Sequence, residues 1–193
     1  MSQAQRSSEV SLSPKPFTVD ELTWFAKSSY HLAMKYSSEW APNEILRITR
    51  CCKILITTIP RDISQDVAAD LDLRLMSCDF LASLLLVALA RVEDNIEIQL
   101  DHYLNLQHHV QSFDAKLEQS LNKLEDVVKN DLLDKLGVLI AWDFEAAVQL
   151  KQWDRLKEIV LRAGICKRLR TYETMMDCIL VSEASTPGSL SPV

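Results

Sequence analysis

Apolar residues recur every three or four positions from about residue 18 to residue 182, and no stretch alternates as a half-buried strand would. The pattern predicts an all-α chain of about seven helices. Thr18-Val-Asp-Glu21 has the form of a capping box, so a first helix is expected to run to about Ser38. Its apolar face carries Leu22, Phe25, Ala26, Ser29, Ala33 and Tyr36. Trp40-Ala-Pro42 breaks that helix. Pro42 suits the first turn of a second one, bearing Ile45, Leu46, Ile48, Cys52, Leu55 and Ile59 and ended by Pro60. Ser64 opens a third helix running to about Val92. Its middle, FLASLLLVALA from Phe80 to Ala90, is apolar on all sides and bounded by Asp79 and Arg91, the mark of a buried central helix.

A fourth helix is expected from Asp94 to near Glu118, with Asp94-Asn95 as the only break before it. A fifth spans Leu121 to about Leu150, with an interruption near Gly137. A sixth runs from Trp153 to Ala163, closed by Gly164, and a last helix carries Leu169, Tyr172, Met176, Ile179 and Leu180. The stretch from Asp143 to Gly164 is the most telling. Ala146, Ala147 and Leu150 share one face, a Lys-Gln turn follows, and Trp153, Leu156, Ile159 and Val160 form the next face. Small residues against a bulky aromatic make a close helical hairpin, the unit of an α-solenoid. No clean 34-residue period is present, so the expected fold is an irregular tetratricopeptide-like array of helical hairpins. The Ser-, Gln- and Pro-rich ends read as a disordered leader (1–16) and tail (184–193) around a helical domain (17–183).

Three glycines in 193 residues argue against phosphate-cradling loops and most all-β folds. The longest apolar run is eleven residues, short of a membrane span, so no membrane partner is expected. Net charge is −6, which disfavours direct nucleic-acid binding. The charge is uneven: residues 93–145 hold twelve acids against four lysines, and residues 151–170 hold seven cations against two acids. Five cysteines without C-x-x-C spacing, and no signal sequence at the start, fit a reducing compartment.

Candidate chemistry is sparse. Glu93, Glu97 and Asp101, with Asp94 adjacent, would make a carboxylate stripe of the kind Mg²⁺-dependent helical enzymes use, but no second acidic cluster faces it. His102 and His109 lie two turns apart, too far to share a zinc ion, and His108 adjoins His109. Cys166 beside Lys167 and Arg168 reads as a partly buried helix-end cysteine rather than a nucleophile. No catalytic residue, metal ligand or cofactor site is expected. Arg162, Lys167, Arg168 and Arg170 form the strongest basic patch. Trp40, in a break, and Trp142, at a helix end, are the aromatics expected to be partly exposed. These six are the candidate partner-binding residues.

Segments 17–30 (FTVDELTWFAKSSY), 71–80 (LDLRLMSCDF), 89–95 (LARVEDN) and 143–156 (DFEAAVQLKQWDRL) resemble fungal members of the meiosis-specific Zip-four family, also called sporulation-specific protein twenty-two. The likeness covers nearly all of residues 17–182. It implies a tetratricopeptide-like scaffold on meiotic chromosomes in the nucleus. Such a scaffold promotes crossover formation and synaptonemal-complex assembly and binds other proteins of that complex. The family offers no catalytic residue to carry over. Its members are much longer, so this chain corresponds to a C-terminal portion, and self-association or instability of the fragment is expected where its missing neighbour would have packed. Two other readings stand beside this one: a helical adaptor of another nuclear or cytosolic complex, and an all-α Mg²⁺-dependent enzyme using Glu93, Asp94, Glu97 and Asp101.

Overall fold

The structure, a computed structural model, describes residues 16–60 and 62–184. The expected disordered leader and tail lie outside the described residues except at Pro16 and Ala184. Among the described residues the fold is all-α, with seven helices: α1 (Val19–Tyr36), α2 (Pro42–Thr58), α3 (Gln65–Val92), α4 (Ile96–Ser120), α5 (Asp126–Gln149), α6 (Trp153–Cys166) and α7 (Leu169–Ala184). The start signals act as read. Thr18 accepts from the Glu21 amide and Glu21 caps the Thr18 amide in return. Pro42 sits in the first turn of α2. The α3–α4 break is real: Asn95 turns its side chain onto the Glu97 and Ile98 amides, and this cap starts α4 two residues after Asp94.

Short connections force consecutive helices to run antiparallel and pack side by side. Each of α1 to α5 packs on the next, α5 packs on α6, and α7 then folds back onto α5 more than onto α6. Helices α3 and α5 are therefore the inner spine. The main core joins Phe113, Leu106 and Val110 of α4 to Leu136, Leu139, Ile140 and Phe144 of α5, with Met76 and Val87 from α3. A second core packs Leu22 and Ala26 of α1 against Cys52 and Ile56 of α2 and Leu71 and Leu75 of α3. By length and composition α3 is long and apolar enough to cross a membrane, but 61% of its most apolar window is buried inside this array.

Gly137 does not interrupt α5, which runs unbroken through it. Its role is proximity. A Cβ there would meet the Thr171 hydroxyl of α7 at 2.8 Å and Cys166 Cβ at 3.6 Å, so the missing side chain lets the start of α7 close on α5. Gly137→Val is expected to lose about 2 kcal/mol by overpacking. It should also raise hydrogen exchange across α7 selectively. Unchanged α7 protection would show that this approach is not tight. Nor does Gly164 close α6. The helix continues to Cys166, and Lys167 takes the left-handed conformation at φ 52.

The sixth helix buries half of the expected face. Leu156, Ile159, Ala163 and Cys166 turn inward, whereas Trp153 is 60% exposed and Val160 40%. The last helix turns most of its expected face outward. Thr171, Met175 and Cys178 pack towards α5, while Leu169, Met176 and Leu180 of the legible apolar stripe face outward.

Candidate functional site

The basic patch does not survive folding as a free surface. Arg162 reaches back to α4, where Asp114 and Glu118 hold its guanidinium and raise its pKa through hydrogen bonds to the Asp114 carboxylate. Arg168 pairs with Asp134 of α5. Both arginines staple the C-terminal helices to the array. Lys167 and Arg170 stay exposed. Trp40 stacks on Tyr36 with ring centroids 4.7 Å apart, in the turn after α1. Trp142 is not at a helix end. It lies within α5, half-buried, with its ring 5.9 Å from Phe80 of α3. Trp24 and Trp153 are the most exposed tryptophans, each on an outward face.

Three of the six candidates nevertheless converge. Trp142, Arg168 and Arg170 line one groove of about 470 Å³ between α5 and the start of α7. Val138 and Ala141 complete its apolar wall, Gly137 and Thr171 its floor, and Asp134 and Thr174 its rim. An apolar trough edged by Arg170 and by the Arg168–Asp134 pair suits a peptide segment that offers a bulky side chain beside a carboxylate, with Arg170 as the cation that meets it. Trp40, Arg162 and Lys167 lie outside it.

The carboxylate stripe does not form. Glu93 ends α3, where its side chain accepts from the Asn95 amide, and Asp94 lies in the loop, so neither continues the α4 face that bears Glu97 and Asp101. Among the described residues no group of three or more His, Cys, Asp or Glu side chains is placed to hold a metal ion. Cys166 is buried, and burial pushes its thiol up to about 11 despite the neighbouring arginines.

The pattern of spacings missed two polar nodes. In the first, Asp79 is fully buried on α3, and its carboxylate takes Lys53 from α2, His109 Nδ1 at 2.7 Å and Ser112 Oγ at 2.7 Å from α4. In the second, Arg91 makes a two-pronged contact with Glu145 of α5, Nε to Oε1 at 2.9 Å and Nη2 to Oε2 at 2.5 Å. Tyr103 of α4 donates to the same carboxylate at 3.0 Å, and burial together with that negative charge raises the Tyr103 pKa. Asp79 and Arg91 are the two charges that bound the apolar run of α3. A charge abutting a helix packed on all sides must find a partner in the neighbouring helix, and that was the available signal.

A third network secures the α5–α6 turn. Gln107 of α4 donates to Gln152 at 2.9 Å, Arg155 donates to Gln152 at 2.8 Å, and Arg155 lies 3.6 Å from the buried Asp143 carboxylate. Desolvation raises the Asp143 pKa, with Arg155 and Gln107 opposing it, and Oδ1 lacks a hydrogen-bond partner. A raised folded-state pKa means that the native protein holds this proton more tightly than the unfolded chain does. Its contribution is therefore favourable at low pH and lost as pH rises through the folded pKa. Asp143→Asn is expected to gain about 1 kcal/mol or less at neutral pH. That advantage should shrink in urea titrations carried into the acid range. A loss at neutral pH would show that the Arg155 pairing outweighs the burial cost.

Comparison of the chain with protein-family models, with curated proteins and with solved structures finds no match. The family likeness therefore stands on the sequence segments quoted above.

Proposed function

We propose that this chain is a non-enzymatic protein-interaction scaffold that acts on meiotic chromosomes in the nucleus. There it promotes crossover formation and synaptonemal-complex assembly by binding other proteins of that complex. The observation that carries the interaction reading is the α5–α7 groove, an apolar trough with Arg168 and Arg170 on its edge. The polar nodes support it as well. Asp79 and Glu145 hydrogen-bond to side chains of neighbouring helices, so both carboxylates join helices of the array. The meiotic setting rests on the resemblance of segments 17–30, 71–80, 89–95 and 143–156.

The test is to image the tagged chain on chromosomes spread from cells in meiotic prophase. The expected result is signal along the paired chromosomes. A signal that stays off the chromosomes in those cells removes the meiotic role and leaves a helical adaptor of another complex.

A further inference from the structure

We infer that the outward face of α7 is a self-docking surface, on which α7 of a second copy of this chain packs antiparallel. Three apolar side chains carry the face. Leu169, Met176 and Leu180 are 73%, 63% and 60% exposed, and they lie at i, i+7 and i+11, so all three line one side of the helix. Half-buried Tyr172 borders the same stripe. The helix already spends its opposite side, Thr171 and Met175, on the array. It is therefore amphipathic twice over, once towards α5 and once towards solvent.

The charges beside the stripe decide what covers it. Arg170 precedes the middle of the helix, Glu173 and Asp177 follow, and all three stand on one flank of the stripe. A parallel pairing of two copies about a two-fold axis would place the charged flanks on opposite edges of the interface, leaving Arg170 without an acidic partner from this flank of the second copy. An antiparallel pairing about a two-fold axis brings the same flank of each copy together with its direction reversed. Leu169 then meets Leu180 of the second copy and Tyr172 meets Met176. Arg170 comes level with Asp177 within two residues, twice in the dimer. The face is thus complementary to itself in apolar spacing and in charge, which favours a second copy as its occupant.

Sedimentation velocity of the full chain over a range of micromolar concentrations tests this. The expected mass rises with concentration from 22.0 kDa towards twice that value. Met176→Glu, at an exposed position, should leave the circular dichroism and thermal midpoint unchanged and raise the dimer dissociation constant at least about tenfold. Arg170→Asp and Asp177→Arg should each weaken the dimer, and the two together should restore it, because the swap preserves the antiparallel pairing. A chain that remains monomeric throughout overturns the inference. So does a dimer indifferent to Met176→Glu but lost on Trp24→Glu, which would place the contact on the exposed aromatic face of α1.

Discussion

Lys53→Met is expected to lower the unfolding free energy by about 3 kcal/mol, because removing one partner leaves a buried carboxylate uncompensated. Asp79 has no exposed surface, and its carboxylate lies between α2 and α4. His109 and Ser112 remain to bond it, so the node is weakened rather than emptied. The double variant Lys53→Met with Asp79→Leu removes the charge along with its partner and should recover part of the loss. The recovery is what separates charge burial from lost packing of the lysine stem. Urea unfolding of both variants reads it. A double variant less stable than Lys53→Met alone would mean that Asp79 stabilises the array through His109 and Ser112 rather than through the ion pair.

Arg91→Met is expected to cost about 2 to 3 kcal/mol by the same physics, and it strikes the other end of α3. The guanidinium is half exposed, but the Glu145 carboxylate it grips is almost fully buried. Tyr103 cannot balance the charge; its hydroxyl supplies one hydrogen bond to an oxygen that also takes Arg91 Nε. The triple variant Arg91→Met, Tyr103→Phe, Glu145→Leu should be more stable than Arg91→Met alone, since every member of the polar group then becomes apolar. A triple variant that falls further would show that the network earns its place as a unit.

The helices themselves were legible because their signals are local. The capping box at Thr18, Pro42 at the start of α2 and the Asn95 cap of α4 act within one turn of the chain. The faces were harder to read. Helix α7 carries two stripes, and composition favours Leu169, Tyr172, Met176, Ile179 and Leu180 over Thr171, Met175 and Cys178. The structure buries the second set because Gly137 lets the Thr171 side of α7 come close. That contact joins residues 34 apart in the chain, and no local period encodes it. Gly137 misleads for the same reason: a glycine inside a helical pattern looks like a break when its purpose is an approach from elsewhere. Two of the four basic-patch residues, Arg162 and Arg168, are paired within the array because their partners, Asp114, Glu118 and Asp134, sit on α4 and α5. The uneven charge, an acidic middle and a basic end, is what these staples consume. Trp142 is partly accessible, as its sequence position suggests, but it does not stand at a helix end. It is open because a groove runs past the middle of α5, not because the helix stops there.

The most direct measurement places a photo-crosslinking amino acid at Val138, on the exposed wall of the α5–α7 groove, in the full chain expressed in meiotic cells. A control carries the same group at Cys51, an exposed position on α2 away from the groove. The expected result is a discrete adduct to another protein at Val138, absent at Cys51 and lost when the exposed Arg170 is changed to Glu. No adduct at Val138, or the same adducts from both positions, would contradict the groove as the place where this array meets its partners.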